Sequence, residues 1–85
     1  MNEELKKSAE LMLSGDYRER FIAEYMQVDN RLRGLKKMLK SWDEGTLSFT
    51  PTCSREIYTI QEYNMQNYRD ILVVRAKVEG IELPF

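Results

Sequence analysis

The chain has 85 residues, 13 of them basic and 14 acidic, for a net charge of −1; that length fits one small domain, and near-neutrality provides no bulk field to draw it to nucleic acid or a membrane. It has no histidine and one cysteine, Cys53, which excludes an internal disulfide and an all-cysteine zinc site and removes the commonest general base. A reducing, cytoplasmic setting is therefore expected. The polar, acidic segment Met1 to Lys7 is unlike a signal peptide. The longest apolar run, Ile71 to Val74, is far short of a membrane span.

The first predicted helix covers 3–13. Asn2 caps it, and Glu3 and Glu4 face the positive end of its dipole. Leu5, Ala9 and Met12 make its apolar face, with Leu11 and Leu13 beside it. Ser14 and Gly15 end it.

The second helix covers 16–43, and Asp16 and Glu19 stand at capping-box spacing. A seam of large apolar residues runs along it: Phe21, Tyr25, Val28, Leu32, Leu35, Leu39 and Trp42. They alternate in steps of four and three, the spacing of a heptad seam that must be buried against other helices. Gly34 interrupts the helix interior, where glycine costs about 1 kcal/mol relative to alanine.

A turn over 44–52 holds Gly45 and Pro51, and Leu47 and Phe49 are expected to close the end of the core. The third helix covers 53–79 and stops at Gly80. An apolar tail, 80–85, is expected to fold back on the bundle or on a neighbour.

This third helix has two apolar faces. One carries Ile57, Ile60, Asn64, Ile71, Val74 and Val78. The other carries Tyr58, Gln61, Met65, Tyr68, Leu72 and Arg75. A hairpin partner covers one of them, the first helix part of the rest, and a second chain would cover it more fully. The expected fold is therefore all-α, a short N-terminal helix followed by a long antiparallel hairpin, assembled as a helical-bundle homo-oligomer. Met65 and Leu72 join the seam.

Two constellations are candidates for binding. Between Asn30 and Lys40 lie five cations and no acid: Arg31, Arg33, Lys36, Lys37 and Lys40. Arg33, Lys36 and Lys40 each follow a seam residue, forming a basic edge. Such an edge either flanks the seam and complements the dipole or docks an anion. In the third helix, Gln61, Tyr68 and Arg75 recur at heptad spacing. They either form a register-fixing network or stack a ring on Tyr68 and pair a phosphate with Arg75. Arg69 lies beside them. Tyr17, Arg18 and Arg20 sit at a helix start without a glycine-rich loop. Cys53 has no neighbour that would activate it beyond the helix start itself. No spacing of carboxylates singles out an acid–base pair, so catalysis is not expected.

Certain residues carry a resemblance: Asp16-Tyr17-Arg18-Glu19-Arg20-Phe21 with Glu24-Tyr25, then Arg31, Leu35 and Met38, the turn Thr50-Pro51-Thr52-Cys53, and Gln61, Met65, Tyr68, Leu72 and Arg75 before Glu79-Gly80-Ile81-Glu82-Leu83. Over nearly everything after Ser14, the chain resembles a small protein family of tailed phages and prophages of gut Firmicutes, named after a crAss-like phage member. Gly34 and Ser54 depart from it, standing where a polar helix former and a proline are expected. The resemblance implies a non-enzymatic phage accessory protein in the cytoplasm of an infected bacterium.

By analogy with small helical phage proteins that counter bacterial defence, the chain would be a sponge for a signalling nucleotide, such as a cyclic nucleotide or a cyclic ADP-ribose isomer. Arg33, Lys36, Lys40, Tyr68, Arg69 and Arg75 would hold the ligand at subunit interfaces, with no cofactor or metal. Alternatively it docks on a host defence protein through an exposed seam or the tail Leu83 to Phe85, or is a structural oligomer. Net charge and helix length argue against a nucleic-acid binder.

Overall fold

The computed structural model describes residues 2–85; Met1, the first residue of the acidic N-terminal segment read above, lies outside them. Three helices follow in order: α1 (Glu3–Met12), α2 (Tyr17–Asp43) and α3 (Arg55–Glu79). The fold is all-α. Helix α2 is its axis, and both α1 and α3 pack against it without touching each other. Among the described residues, no helix is long and apolar enough to cross a membrane.

Side chains in the flanking sequence set the helix ends. Asn2 accepts from the backbone N–H groups of Glu4 and Leu5 at 3.0 and 3.2 Å, which satisfies donors that a helix start leaves free. Asp16 accepts from Arg18 N–H at 2.9 Å, so α2 proper starts at Tyr17. The expected capping box is not closed, because Glu19 accepts from the Ser14 hydroxyl at 2.7 Å instead. Ser54 caps α3 by accepting from Ile57 N–H. Cys53 therefore stands before the helix, exposed. Gly80 adopts φ 70°, ψ 32°, a left-handed conformation that glycine takes without a Cβ penalty. That turn aims Ile81 inward, and its N–H bonds to Ala76 O at 2.8 Å.

The α2 seam is the spine of the interior. Phe21, Tyr25, Leu32 and Leu39 are buried, and Val28, Leu35 and Trp42 half-buried. Phe21 and Tyr25 meet Leu72 and Ala76 of α3 and Ile81 of the tail, with Ile22, Val28, Val73 and Leu83 around them. At the far end, the Trp42 ring packs edge-on against Tyr58, centroids 5.9 Å apart. The tail folds onto α2, where the Phe85 ring lies 5.5 Å from Tyr25.

Three expectations are corrected. The face that α1 buries is centred on Ser8, while Ala9 is exposed and Met12 and Leu13 point largely to solvent. Burying Ser8 is acceptable because its hydroxyl is satisfied twice: it donates to Leu5 O at 2.7 Å and accepts from Gln27 Nε2 at 2.6 Å. Phe49 does not close the core; it is exposed, and only Leu47 is half-buried. Helix α1 covers none of α3, because its polar contacts through Glu4 and Ser8 tie it to Gln27, Asn30 and Arg33 of α2.

Candidate functional site

The antiparallel pairing of α2 and α3 brings Arg33, Lys36 and Arg69 onto one wall-to-wall groove. Its deeper part, about 260 Å³, is lined by Asp29, Leu32, Arg33, Lys36, Gln66 and Arg69. Its outer part, about 320 Å³, is lined by Lys36, Thr59, Glu62, Tyr63 and Gln66. Lys36 and Gln66 are common to both, and Lys36 Nζ donates to Gln66 Oε1 at 2.7 Å.

The floor is a charged network centred on Asp29. This carboxylate is buried, with 4% of the residue exposed. Arg69 Nε donates to one of its oxygens at 2.6 Å and Arg33 Nε to the other at 2.8 Å. Burial pushes the Asp29 pKa up, but the two guanidinium hydrogen bonds outweigh it and hold the carboxyl below its ordinary range. Hydrogen bonding to Asp29 also raises the pKa of both arginines, so both stay charged. Arg69 stacks over the Tyr25 ring, 5.3 Å from its centroid, and donates to the Tyr25 hydroxyl at 2.9 Å. Burial raises the pKa of that phenol. Arg33 reaches Glu4 of α1 and lies over the Phe85 ring.

The two arginines are thus shared with carboxylates, whereas the ammonium of Lys36 meets only a neutral amide. Around it stand the Tyr63 ring, 68% exposed, the hydroxyl of Thr59 and the amide of Gln66. The arrangement sets a cation bonded only to a neutral amide, a ring face, neutral donors and acceptors and the Glu62 carboxylate within one cleft, groups able to meet the phosphate, base and sugar of a nucleotide.

The other predicted residues lie elsewhere. Tyr68 and Gln66 are about 160° apart around α3, at 100° per residue, so Tyr68 and Arg75 emerge on the opposite flank of the hairpin. There the Tyr68 hydroxyl donates to Glu24. Arg75 stacks over Phe21 at 5.0 Å, donates to Glu79 at 3.2 Å and to the Tyr17 hydroxyl at 3.0 Å. Tyr17 in turn donates to Glu79 at 2.6 Å. This hydrogen bond raises the pKa of the phenol and lowers that of the carboxyl. Lys40 is exposed, one turn beyond Lys36, outside the lining of the groove.

Sequence reasoning missed Asp29, Thr59, Glu62, Tyr63 and Gln66. A signal existed for Asp29, since it stands four residues before Arg33 on one helix face. The α3 contributors depend on how that helix is turned against α2, which spacing alone does not give. Among the described residues, no group of three or more His, Cys, Asp or Glu side chains is placed to hold a metal ion.

No curated protein and no solved structure matches this chain. The model of the Sequestin family matches residues 15–78, which takes in all of α2 and nearly all of α3. That stretch contains every lining residue of the groove, and the family's name points to sequestration, a binding role and not a catalytic one. The chain belongs to the Sequestin family.

Proposed function

We propose that this protein is a phage accessory protein that counters a bacterial defence by sequestering a signalling nucleotide in the α2–α3 groove. The observation that carries this reading is the place of Lys36. It is a cation with no carboxylate partner, set between two arginines and an exposed tyrosine ring.

A phosphate of the nucleotide would be held by Lys36, with Arg33 and Arg69 supplying further positive potential. The base would lie on Tyr63, its edge read by Gln66, Thr59 and Glu62. Asp29 keeps the two arginines fixed and partly neutralised, so binding need not order them. Cyclic nucleotides and cyclic ADP-ribose isomers are the ligand classes of this reading, in the cytoplasm of the infected cell. Tyr68, Arg75 and Lys40 would act outside the primary groove.

Native mass spectrometry of the protein with a mixture of these nucleotides tests the proposal. The expected result is a stoichiometric mass gain from one ligand, which is recovered unaltered after heat denaturation. Lys36→Glu is expected to weaken binding by about tenfold or more, on the scale of a charge-assisted contact reversed. No mass gain from any nucleotide, or recovery of a hydrolysed product, would overturn it.

A further inference from the structure

On the side of α3 turned away from α2, a second seam is exposed. It runs Ile57, Ile60, Asn64, Asn67, Ile71, Val74 and Val78, in unbroken steps of three and four. Every one of these residues is exposed, and the five aliphatic ones are each more than half so. From end to end the seam is about 32 Å long, at ~1.5 Å per residue. Leu72 and Ala76, buried against α2, lie on the opposite face of the same helix. Helix α1 does not reach α3, and the tail packs on the Phe21–Tyr25 side. No described element covers the seam.

We propose that this face pairs antiparallel with the same face of a second copy, giving a two-fold symmetric dimer. The regular spacing calls for another long helix crossing at a shallow angle, and the positions of the polar residues choose the partner. In one antiparallel register Ile57 meets Val74 of the second copy, Ile60 meets Ile71, and Asn64 meets Asn67. The two-fold axis then repeats each pair. From Ile57 to Val74 apolar positions face apolar ones, Val78 lies beyond the paired stretch, and the four asparagines gather at the centre, where side-chain amides bond to one another.

The flanking positions agree with that register. Glu56 faces Lys77 of the second copy, and Tyr63 faces Asp70, each pair occurring twice. Slipping by one heptad sets Asn64 against Val74, Asn67 against Ile71, and Asp70 against its own copy. Such self-complementarity in core and charge is what an isologous interface requires; a face shaped for an unrelated protein would have no reason to match itself. Covering four exposed aliphatic side chains on each copy, Ile57, Ile60, Ile71 and Val74, also answers the thin core of a chain of this size.

Dimer formation needs no nucleotide, so its test is independent of the groove. Native mass spectrometry and light scattering at micromolar concentration read it directly, using the wild type, Ile60→Glu, Ile71→Lys and the double variant. The wild type is expected to be a dimer and each single variant a monomer. Both sites are solvent-exposed in the monomer, so the circular dichroism of the variants should stay helical. In the double variant the introduced carboxylate faces the introduced ammonium of the other copy twice, and the dimer should return. A parallel pairing would instead oppose like charges at both sites. A monomeric wild type would overturn the proposal and leave the face to a different partner, such as a host protein. Single variants that remain dimers, or a double variant that stays monomeric, would overturn this interface.

Discussion

Arg69 of α3 joins Asp29 of α2 through a 2.6 Å hydrogen bond across the hairpin. It is a buried carboxylate meeting a guanidinium that also stacks on Tyr25. This bond, with that from Arg33, makes the ionised form of Asp29 the preferred one in the fold. Removing either partner leaves the other incompletely paired in a low-dielectric place, which is the expensive way to break such a pair.

Asp29→Asn is therefore expected to lower stability at neutral pH by roughly 2 kcal/mol. The pH dependence has a defined sign. Because folding lowers the Asp29 pKa, its contribution is fully present above the unfolded carboxylate value and is lost as pH falls through the lower folded value. Urea unfolding of the wild type should show stability falling below about pH 4. In Asp29→Asn that acid limb should be shallower. An unchanged acid limb would mean that other carboxylates control acid unfolding.

Leu72 and Val78 stand on the same helix in opposite surroundings. Leu72 is completely buried in the cluster with Phe21 and Tyr25, and Val78 is 82% exposed. Leu72→Ala should cost about 2–5 kcal/mol, the range for truncating a close-packed core side chain. Val78→Ala should change the stability of the monomer by less than about 0.5 kcal/mol. Thermal unfolding of the two variants side by side, at a concentration where the chain is monomeric, checks the contrast.

The backbone of the fold was legible because it depends on spacing. The heptad steps from Phe21 to Trp42 mark one stripe of a helix whatever it packs against, and all seven residues are buried or half-buried. The three-helix, all-α arrangement follows from that stripe and from caps such as Asn2, Asp16 and Gly80. What was illegible depends on partners. Ser8 is buried only because Gln27 of α2 satisfies it, so the polarity of its side chain misdirected the reading of α1. The meeting of Lys36 with Gln66 and Tyr63 likewise depends on the rotation of α3. The same rotation sends Arg33, Lys36 and Arg69 to one flank and Tyr68 and Arg75 to the other.

Gly34 offers a direct gain. It lies within α2, is exposed, and a Cβ built there would meet nothing within 4 Å. Gly34→Ala should therefore stabilise the chain by roughly 0.5–1 kcal/mol, through helix propensity and a less flexible unfolded state. A raised melting temperature with an unchanged circular dichroism spectrum is the expected result. A lowered one would mean that the helix needs glycine at this position, for instance to let another copy or a ligand approach closely.

The tail is held by one aromatic anchor. The Tyr25 hydroxyl donates to the backbone oxygen of Phe85 at 2.7 Å and accepts from Arg69 at 2.9 Å. Phe85 in turn places its ring against those of Tyr25 and the Arg33 guanidinium. Tyr25→Phe keeps the ring but takes a donor from Phe85 and an acceptor from Arg69, and should cost about 1–2 kcal/mol. Phe85→Ala removes the ring contacts and should cost about 1 kcal/mol, because that side chain is half exposed. Since both changes loosen the same attachment, the double variant should be less destabilised than the two single costs added together. A double-mutant cycle by urea unfolding measures that coupling. Strict additivity would mean that the tail is fixed by Ile81 and Leu83 alone, with the Tyr25 hydroxyl acting only as a partner of Arg69.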